Sequence, residues 1–381
     1  MTQQLLNEQE LLIRNMVRDF SDSQLATCAS QLDETEEFPW ENMRAMAELG
    51  LLGLTIDEEF GGSGGTTRQL AVAAEEIARG CAATSTVYIA HLSLCTQYIN
   101  MFGSADQKSK YIPNLVSGEK IGAFALTEPG AGSDAAAIET TSLQTNGHFV
   151  INGTKTYISN APEAGVLVTM VKREKGSGYK GVDALIVDAN SGGIEVNKLQ
   201  GKMGIRASTV GEIVFNNCHV PSGNRMGEDG EGFRQTMEVL NSSRITIAAQ
   251  CVGIAQSALD VAVSYAKERS SFGKKIGMHQ MIQSMIADIG TEVEAARQLV
   301  MKAATLRDLN MPFITEASMA KLFASRVAMK SADRAVQIHG GAGYFAPSAA
   351  ERIFRDARVL EIYEGTSEIQ KMVIARNILE G

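Results

Sequence analysis

The chain has 381 residues, enough for two or three domains, and its 44% hydrophobic and 21% charged residues are the balance of an ordinary globular protein. Its formal net charge of −9 argues against the phosphate backbone of a nucleic acid as the main binding partner. Five cysteines without a Cys-x-x-Cys pair indicate reduced thiols, and five histidines without metal-ligand spacing predict no dedicated metal site.

The first ten residues, MTQQLLNEQE, are polar and acidic, unlike a signal peptide or a transit peptide. No apolar run is long enough for us to predict a membrane span. We therefore expect a cytoplasmic protein in a bacterium or, in a eukaryote, a processed form in the mitochondrial matrix.

Residues 1–118 are expected to form an α-helical domain, because apolar residues recur with the 3.6-residue helical period. The segment NEQELLIRNMVRDF predicts a helix with one apolar face, formed by Leu11, Leu12, Met16, Val17 and Phe20. The segment PWENMRAMAELG predicts a short helix between Pro39 and Gly50, and TTRQLAVAAEEIARG predicts another that ends at Gly80.

Residues 119–228 are expected to form a sandwich or barrel of antiparallel strands. The segments are short, rich in β-branched residues and separated by Gly, Asn, Asp and Ser: KIGAFAL, HFVINGTKTYISN, GVLVTMV, ALIVD, GGIEVNKL and GEIVFNN. Residues 229–381 return to long amphipathic helical patterns. The predicted fold class is α+β and mostly α, with an N-terminal helical domain, a middle antiparallel β domain and a C-terminal four-helix bundle.

Two glycine-rich segments resemble catalytic motifs without their structural context. GGSGG, at 61–65, matches the G-x-S-x-G of hydrolases, but the acidic run at 57–59 separates it from any buried strand, so a loop is expected. LTEPGAGSDA matches a dinucleotide fingerprint at Gly130, Gly132 and Ala135, but a hairpin pattern follows where that fingerprint needs a helix. The second segment is expected to be a loop whose backbone N–H groups can approach a ligand.

The segment IYEGTSEIQ places Glu364 in a turn that enters a helix. Ser367 and Gln370 fit a Ser-x-x-Gln capping box, which predicts that a helix begins there. A glutamate before a helix is most often a solvated charge near the helix N-terminus. Between the ring of Tyr363 and the flexible Gly365, however, the carboxylate can project into a pocket.

Six segments in one order carry a resemblance to a known family: ALTEPGAGSD, NGTKTYISN, MGIRAS, ERSSFGKKIGMHQMIQSMIAD, QIHGGAGYF and IYEGTSEIQ. Over essentially its whole length the chain resembles the acyl-CoA dehydrogenase family. The family's helical, β and four-helix-bundle domains match the three regions above. The resemblance implies FAD as cofactor and desaturation of an acyl-CoA thioester between Cα and Cβ, in which a base takes the α-proton while flavin N5 accepts a hydride from Cβ.

The resemblance assigns the base to Glu364, whose own backbone N–H and a flavin ribityl hydroxyl would polarise the thioester carbonyl. Burial against an acyl chain raises the pKa of a carboxylate and makes it a stronger base. Isovaleryl- and long-chain-specific members carry the base instead just before an arginine on a long helix. That position is Ser243 here, and a serine cannot serve, so the base falls to Glu364.

The resemblance also implies a set of FAD contacts. Phe124, Leu126 and Thr127 would face the pyrimidine edge of the flavin, and Tyr157 and Ser159 would lie beside N5, with Tyr157 in place of the family's frequent Trp. Arg269 and Phe272 match an R-x-x-FG element that meets the FAD pyrophosphate across a subunit boundary. The remaining expected cofactor contacts are Ser133, Gln280, Gln337, Gly340, Gly341, Thr366 and Glu368. Taken singly, such residues are more often sheet core, surface charge or helix ends.

Contacts to the substrate are implied for Ser133, Asn241, Arg244, Tyr363, Gly365 and Arg376. Asn241 departs from the family, which often has an aspartate three residues before the arginine, so the contact with CoA there could lose its charge. For Arg244 and Arg376, the ordinary alternative to a contact with the substrate is an intrahelical salt bridge.

The resemblance implies a dehydrogenase of short or compact acyl-CoA substrates that passes electrons to an electron-transfer flavoprotein and assembles as a homo-oligomer, with a tetramer expected. An enoyl-CoA reductase that runs the reaction backwards stays open, because one site catalyses both directions. A peroxisomal-type oxidase is disfavoured because such chains are much longer. From a different class, a non-catalytic helical scaffold that binds CoA also stays open, although it would not need Glu364 and the FAD set together.

Overall fold

The computed structural model describes residues 6–174 and 176–380, and it begins with a layer of helices. The helices of this layer are α1 (Glu8–Phe20), α2 (Ala26–Thr35), α3 (Trp40–Glu48), α4 (Thr67–Gly80), α5 (Ala82–Ile89), α6 (Gln97–Phe102) and α7 (Ala105–Val116). A π-helical segment, Ser21–Leu25, joins α1 to α2, and another, Ala90–Thr96, joins α5 to α6.

Local sequence signals fix most of these helix ends. As predicted, α3 begins directly after Pro39, and α4 ends at Gly80. Thr66 caps α4 through a capping box with Gln69. The predicted apolar face of α1 is wrong at Leu12, which is 64% exposed, because the helix presents Ile13 to the core instead.

Residues 121–226 form one sheet of eight strands. They are β1 (Ile121–Ala125), β2 (Thr141–Thr145), β3 (His148–Ser159), β4 (Ala164–Lys172), β5 (Val182–Asp188), β6 (Ile194–Leu199), β7 (Val210–Pro221) and β8 (Arg225–Met226). The order is β6-β7-β3-β2-β4-β5-β8, and β1 pairs with β4. The prediction of antiparallel pairing is wrong at two places: β1 pairs with β4 in parallel, and β2 meets β4 in parallel at Thr141 and Lys172. The strand β1 also packs on the π-helical segment Ala90–Thr96 of the helical layer.

Both faces of the central strands are buried. On β4, Val166, Val168 and Met170 contact the helical core, whereas Leu167 and Val171 alternate with them and pack inside the β region. Because successive side chains of a strand point to opposite faces, β4 packs against both the helical core and the core of the β region.

The C-terminal region is a bundle built around α8 (Gly232–Glu268), α9 (Gln280–Asp308) and α10 (Ile314–His339). A two-stranded hairpin, β9 (Ser270–Ser271) with β10 (Lys274–Lys275), joins α8 to α9. The helix α11 (Ala349–Ala357) packs on α8 and α10, and α12 (Ser367–Glu380) packs on α10 as a further bundle member. The α8 and α10 helices run in the same direction, because their C-terminal ends meet where Tyr265 stacks on His339 at 4.2 Å between ring centroids.

The expectation that no segment is apolar enough for a membrane span is corrected by α8. Within the described residues, this helix alone passes such a test by length and composition, with a mean hydropathy of 1.4 in its most apolar window. Because 72% of that window is buried inside the fold, the same composition is explained by its place at the centre of the bundle.

The changes of secondary structure fall close to the predicted domain boundaries. The last helix before the sheet ends at Val116 and β1 begins at Ile121; β8 ends at Met226 and α8 begins at Gly232. That residues 1–118, 119–228 and 229–381 are separate domains stays a prediction.

Candidate active site

Glu364 lies in a tight turn with an unusual backbone. A 3₁₀ segment, Arg358–Glu361, leads into the turn, and α12 begins at Ser367. Glu364 has a φ of 50° and Gly365 a φ of 96°, so two consecutive residues lie in the left-handed region. A glutamate adopts this conformation at a cost in free energy, so the surrounding contacts must hold it there.

The capping box predicted for α12 is wrong by one residue. The side chain of Thr366, rather than that of Ser367, accepts a hydrogen bond from the N–H of Ile369, at 3.4 Å. Gln370 reaches back instead to the turn, where its Nε2 donates to the carbonyl of Gly365 at 3.0 Å and to that of Glu364 at 3.5 Å. The amide of Gln370 therefore fixes the turn that carries Glu364.

The carboxylate of Glu364 is half-buried and faces α8. The Ser243 hydroxyl donates a short hydrogen bond to its Oε2. Burial raises the pKa of Glu364 to about 7, although the Ser243 hydrogen bond and the positive charges of Lys321 and Arg244 act in the opposite direction. A carboxylate with this pKa is a stronger base than one in water, and about half of it is ionised at pH 7.

Arg244 lies beside this carboxylate and is almost fully buried. Its Nη1 donates to Oδ1 of Asn241 at 2.6 Å, and its Nε finds no acceptor within the described parts of the chain. An intrahelical salt bridge, the ordinary alternative for this residue, is not formed there, because Asn241 stands where a charged partner would lie.

Two buried polar side chains form hydrogen bonds to the segment that carries Glu364, and neither was predicted from the sequence. Lys321 of α10 donates from Nζ to the carbonyl of Gly365 at 2.7 Å. Gln250 of α8 accepts a hydrogen bond from the Tyr363 hydroxyl at 2.5 Å and donates to Thr86 at 2.8 Å. The sequence did carry one signal for such residues, namely that they lie on helical faces that are expected to be buried. Lys321, for example, lies on the same face of α10 as small residues one turn away.

The backbone N–H of Glu364 meets no acceptor among residues 6–174 and 176–380. A free donor directly beside a carboxylate base is the arrangement needed to polarise a carbonyl while the base takes the adjacent proton. Glu364 carries both of these groups.

A second set of predicted residues surrounds the loop after β1. The carbonyl of Thr127 accepts a hydrogen bond from the N–H of Thr156 at 2.9 Å, which places this loop against β3. The register of β3 on β7 shifts between Lys155 and Ile158, and Tyr157, with a φ of 57°, points outward and is 72% exposed. Within the described chain the Thr127 hydroxyl has no hydrogen-bond partner.

A buried ion pair anchors this loop. Lys155 has no exposed surface, and its Nζ donates to Oε1 of Glu128 at 2.7 Å and to the carbonyl of Leu126 at 3.0 Å. The Glu128 carboxylate also accepts from the N–H groups of Glu139 and Thr140, at 2.5 Å and 3.0 Å. The positions of Leu126 and Thr127 are therefore fixed from inside the sheet.

A third set lies at the far end of the bundle. Arg269 and Phe272 follow α8, Gln280 begins α9, and Gln337 and the pair Gly340–Gly341 end α10. The stacking of Tyr265 on His339 holds these segments at one end of the bundle. Gly340 has a φ of 61°, and a Cβ built on either glycine would meet nothing within 4 Å, so the turn is open to a ligand.

The other predicted residues are spread around these three sets. Phe124 is half-buried beside Tyr98, and Ser159 pairs with β7 in the sheet. Ser133 and Glu368 are exposed, and Thr366 caps α12. Arg376 pairs with Glu380 on exposed α12 at 3.1 Å, which is the intrahelical salt bridge expected in the absence of a ligand, and its contact with CoA stays a prediction.

The far-end set is well separated from Glu364 along the chain's own helices. From Ser243 to the end of α8 at Glu268 is about 38 Å, and from Lys321 to the end of α10 at His339 is about 27 Å, at 1.5 Å per residue. The turn of Glu364 and the open glycine turn therefore lie far apart along the bundle.

A crevice elsewhere in the molecule is not connected with these residues. Charged side chains line it between the first helical layer and α11, among them Arg79, Arg206, Arg352 and Asp356. None of the predicted site residues contributes to its walls.

Comparisons with known proteins agree across the whole chain. Family models described as acyl-CoA dehydrogenase N-terminal, middle and C-terminal domains match residues 7–119, 123–218 and 230–379. The chain is 45% identical to an acryloyl-CoA reductase (NADH) of Anaerotignum propionicum over 379 residues, which are 99% of this chain and 95% of that protein. It is 42% identical to a short-chain specific acyl-CoA dehydrogenase of Clostridium acetobutylicum over 374 residues, 98% of both chains.

A solved structure described as an electron transferring flavoprotein of Acidaminococcus fermentans superposes on this fold with a TM-score of 0.97. It is 39% identical in sequence, and the match covers 99% of each chain.

Proposed function

Because this chain belongs to the acyl-CoA dehydrogenase family, whose members are flavoprotein oxidoreductases of acyl-CoA thioesters, we propose that Glu364 is the base with which it desaturates a short or compact acyl-CoA. The product is the trans-2-enoyl-CoA. The observation that carries this proposal is the turn at Glu364, where a desolvated carboxylate and a free backbone N–H stand side by side.

Separate groups of the chain bind the thioester carbonyl and remove the α-proton. The N–H of Glu364 donates to the thioester carbonyl oxygen and stabilises the negative charge that develops there. The carboxylate of Glu364 takes the proton from Cα, and Ser243 and Gln370 hold that carboxylate and its turn in place. When bound, FAD supplies the acceptor for the hydride that leaves Cβ.

The residues present fit FAD at both of its ends. The Thr127 hydroxyl, without a hydrogen-bond partner in the described part of the chain, and the outward-pointing Tyr157 ring are suited to the isoalloxazine. Phe124, Leu126 and Ser159 lie around them. The open turn at Gly340 and Gly341, with Arg269 at the same end of the bundle, is suited to the diphosphate and the ADP half.

The electron acceptor we propose is an electron-transfer flavoprotein, supported by the similarity to the structure from Acidaminococcus fermentans. The similarity to the acryloyl-CoA reductase keeps the reverse reaction as a second candidate, since the same base then donates the α-proton. We also propose the cytoplasm as location, or the mitochondrial matrix for a processed eukaryotic form, which cell fractionation tests.

The decisive test is anaerobic bleaching of the flavin by acyl-CoA thioesters of graded chain length. We expect rapid bleaching by short or compact acyl groups, formation of the 2-enoyl-CoA, and reoxidation by an electron-transfer flavoprotein. Reduction of an enoyl-CoA by NADH at a much higher rate than any dehydrogenation would favour the reductase. A colourless protein that binds CoA and has neither activity would support the scaffold.

The rate constant of flavin reduction should increase with pH through a midpoint of about 7. Burial raises the pKa of Glu364 to about 7. The base acts only as a carboxylate, so the rate falls about tenfold per pH unit below the midpoint and levels off above it. Stopped-flow bleaching under saturating substrate measures this midpoint for the bound complex; a rate independent of pH between 5 and 9 would contradict the assignment.

We further propose that FAD is bound between subunits of an oligomer, and we expect a tetramer with about one FAD per chain. The support is the separation of about 27–38 Å between Glu364 and the far-end set within one chain, together with the exposed rings of Phe272, Tyr344 and Phe345 near that end. Light scattering of the FAD-loaded protein measures the mass. A monomer with stoichiometric FAD would rule this arrangement out.

A further inference from the structure

Lys321 is a buried ammonium with no ion-pair partner among the residues that the structure describes. It has no exposed surface on α10, and its one hydrogen bond, from Nζ to the carbonyl of Gly365, is 2.7 Å long. Across residues 6–174 and 176–380, no carboxylate oxygen lies within ion-pair distance of it. An isolated buried charge is costly, so a lysine at this position must interact favourably with something nearby.

The titratable groups that face Lys321 come from each element around it. From α8 they are Arg244 and the thiol of Cys251, and from the turn before α12 they are Glu361 and Glu364. Burial lowers the pKa of Lys321, and Arg244 acts in the same direction, whereas Cys251, Glu364 and Glu361 raise it. The carbonyl acceptor and the nearby carboxylates favour the protonated ammonium.

On the basis of the proposed function, we infer that Lys321 is a positioning residue for the base, which holds the left-handed turn through the Gly365 carbonyl and keeps the neighbouring Glu364 ionised through its positive charge. It has no exposed surface and reaches the turn from inside the protein, through the Gly365 carbonyl. It therefore touches neither the substrate nor the flavin.

The two effects are separate in physical terms. Gln370 donates to the same Gly365 carbonyl at 3.0 Å, so the turn keeps one support when the lysine is removed. Two positive charges lower the pKa of Glu364, Lys321 of α10 and Arg244 of α8, so removing Lys321 removes one of the two. The next lysine along α10, Lys330, is exposed and pairs with Glu292. Loss of the charge should therefore change the titration of Glu364 more than the shape of the turn.

The experiment compares Lys321→Met with Lys330→Met in the FAD-loaded protein. We expect Lys321→Met to move the midpoint of the rate against pH upward by about 1 unit, since an opposite charge at close range lowers the pKa of a carboxylate by about 1–3 units. The rate should fall about fivefold near pH 7 and return to within a few-fold of the wild-type rate at pH 9. Lys330→Met should leave the midpoint in place.

A readout independent of turnover is the infrared band of the protonated carboxyl group, titrated with pH and corrected with a Glu364→Gln blank. It should show the same upward shift, whether or not the wild-type protein dehydrogenates acyl-CoA. A failure of the proposed function, seen as no bleaching by any acyl-CoA, is thus distinguished from a failure of this inference.

Lys321→Gln is the second variant, because it removes the charge and retains a donor for the Gly365 carbonyl. If either variant folds with full FAD content and its midpoint stays within about 0.3 unit of wild type, the electrostatic role is refuted. A rate lowered equally at every pH would also refute it and would leave only a structural role for Lys321.

Discussion

Replacing Glu364 by Gln lowers the rate constant of flavin reduction by acyl-CoA by about 10²–10⁴-fold, the usual contribution of a positioned general base. Gln retains the size of the side chain, accepts the hydrogen bond from Ser243, and keeps the backbone N–H that faces the thioester. It cannot accept the α-proton, and the half-buried site leaves little room for water to replace it. Stopped-flow bleaching measures the rate, and the absorbance ratio of flavin to protein measures the FAD content.

The matched control is Glu361→Gln, three residues upstream on the same segment. Glu361 is also half-buried, but it pairs with Arg358 at 2.8 Å and does not contact Ser243. Its replacement should change the rate by only a few-fold. If Glu364→Gln reduces its flavin as fast as this control does, Glu364 is not the base.

Replacing Lys155 by Met lowers the stability of the protein by about 3–5 kcal/mol, because it leaves a buried carboxylate without its counter-charge. Burial alone would raise the pKa of Glu128, but Lys155 and the backbone N–H donors outweigh it and hold the pKa below its usual value. Without the ammonium, the loop that carries Leu126 and Thr127 loses its anchor. Urea unfolding at fixed protein and FAD concentration measures the stability, and gel filtration measures the FAD retained.

Two further variants test whether the loss of stability is specific to the buried ion pair or is found for a surface pair as well. Lys120→Met removes a half-exposed lysine that lies 3.6 Å from Asp188, and it should cost at most about 1 kcal/mol. Adding Glu128→Gln to Lys155→Met removes the uncompensated charge and should restore a large part of the loss. A loss no greater for Lys155→Met than for Lys120→Met would show that the buried pair does not hold the loop.

The helices were predictable because their signals are local. Pro39 and Gly80 bound α3 and α4 in the sequence as in the structure, and the long apolar pattern of α8 is visible without any knowledge of its neighbours. The pairing of β1 with β4 was not predictable in this way. It joins residues some 40 positions apart, and neither strand carries a signal for parallel or antiparallel direction.

In the candidate site, the turn of Glu364 could be found from its sequence, but its support could not. Lys321 and Lys330 lie on the same helix in similar composition, and only the packing of α8 and the turn onto α10 buries the first and exposes the second. Gln250 was missed for the same reason, since its partners Tyr363 and Thr86 are more than 100 residues away in the chain. The one-residue error in the cap of α12 arose because both Thr366 and Ser367 can cap a helix.

If each flavin is shared between two chains, the length of α8 predicts how two mutant alleles behave when they are co-expressed. Ser243 lies beside Glu364 in the first third of this helix, and its C-terminal end, about 38 Å further on, leads to Arg269. A chain that carries Glu364→Gln and a chain that carries Arg269→Ala then have their defects in different halves of a shared site. When the two are co-expressed, each pair of subunits with one chain of each kind has both residues intact in one of its two shared sites, so two inactive alleles complement each other.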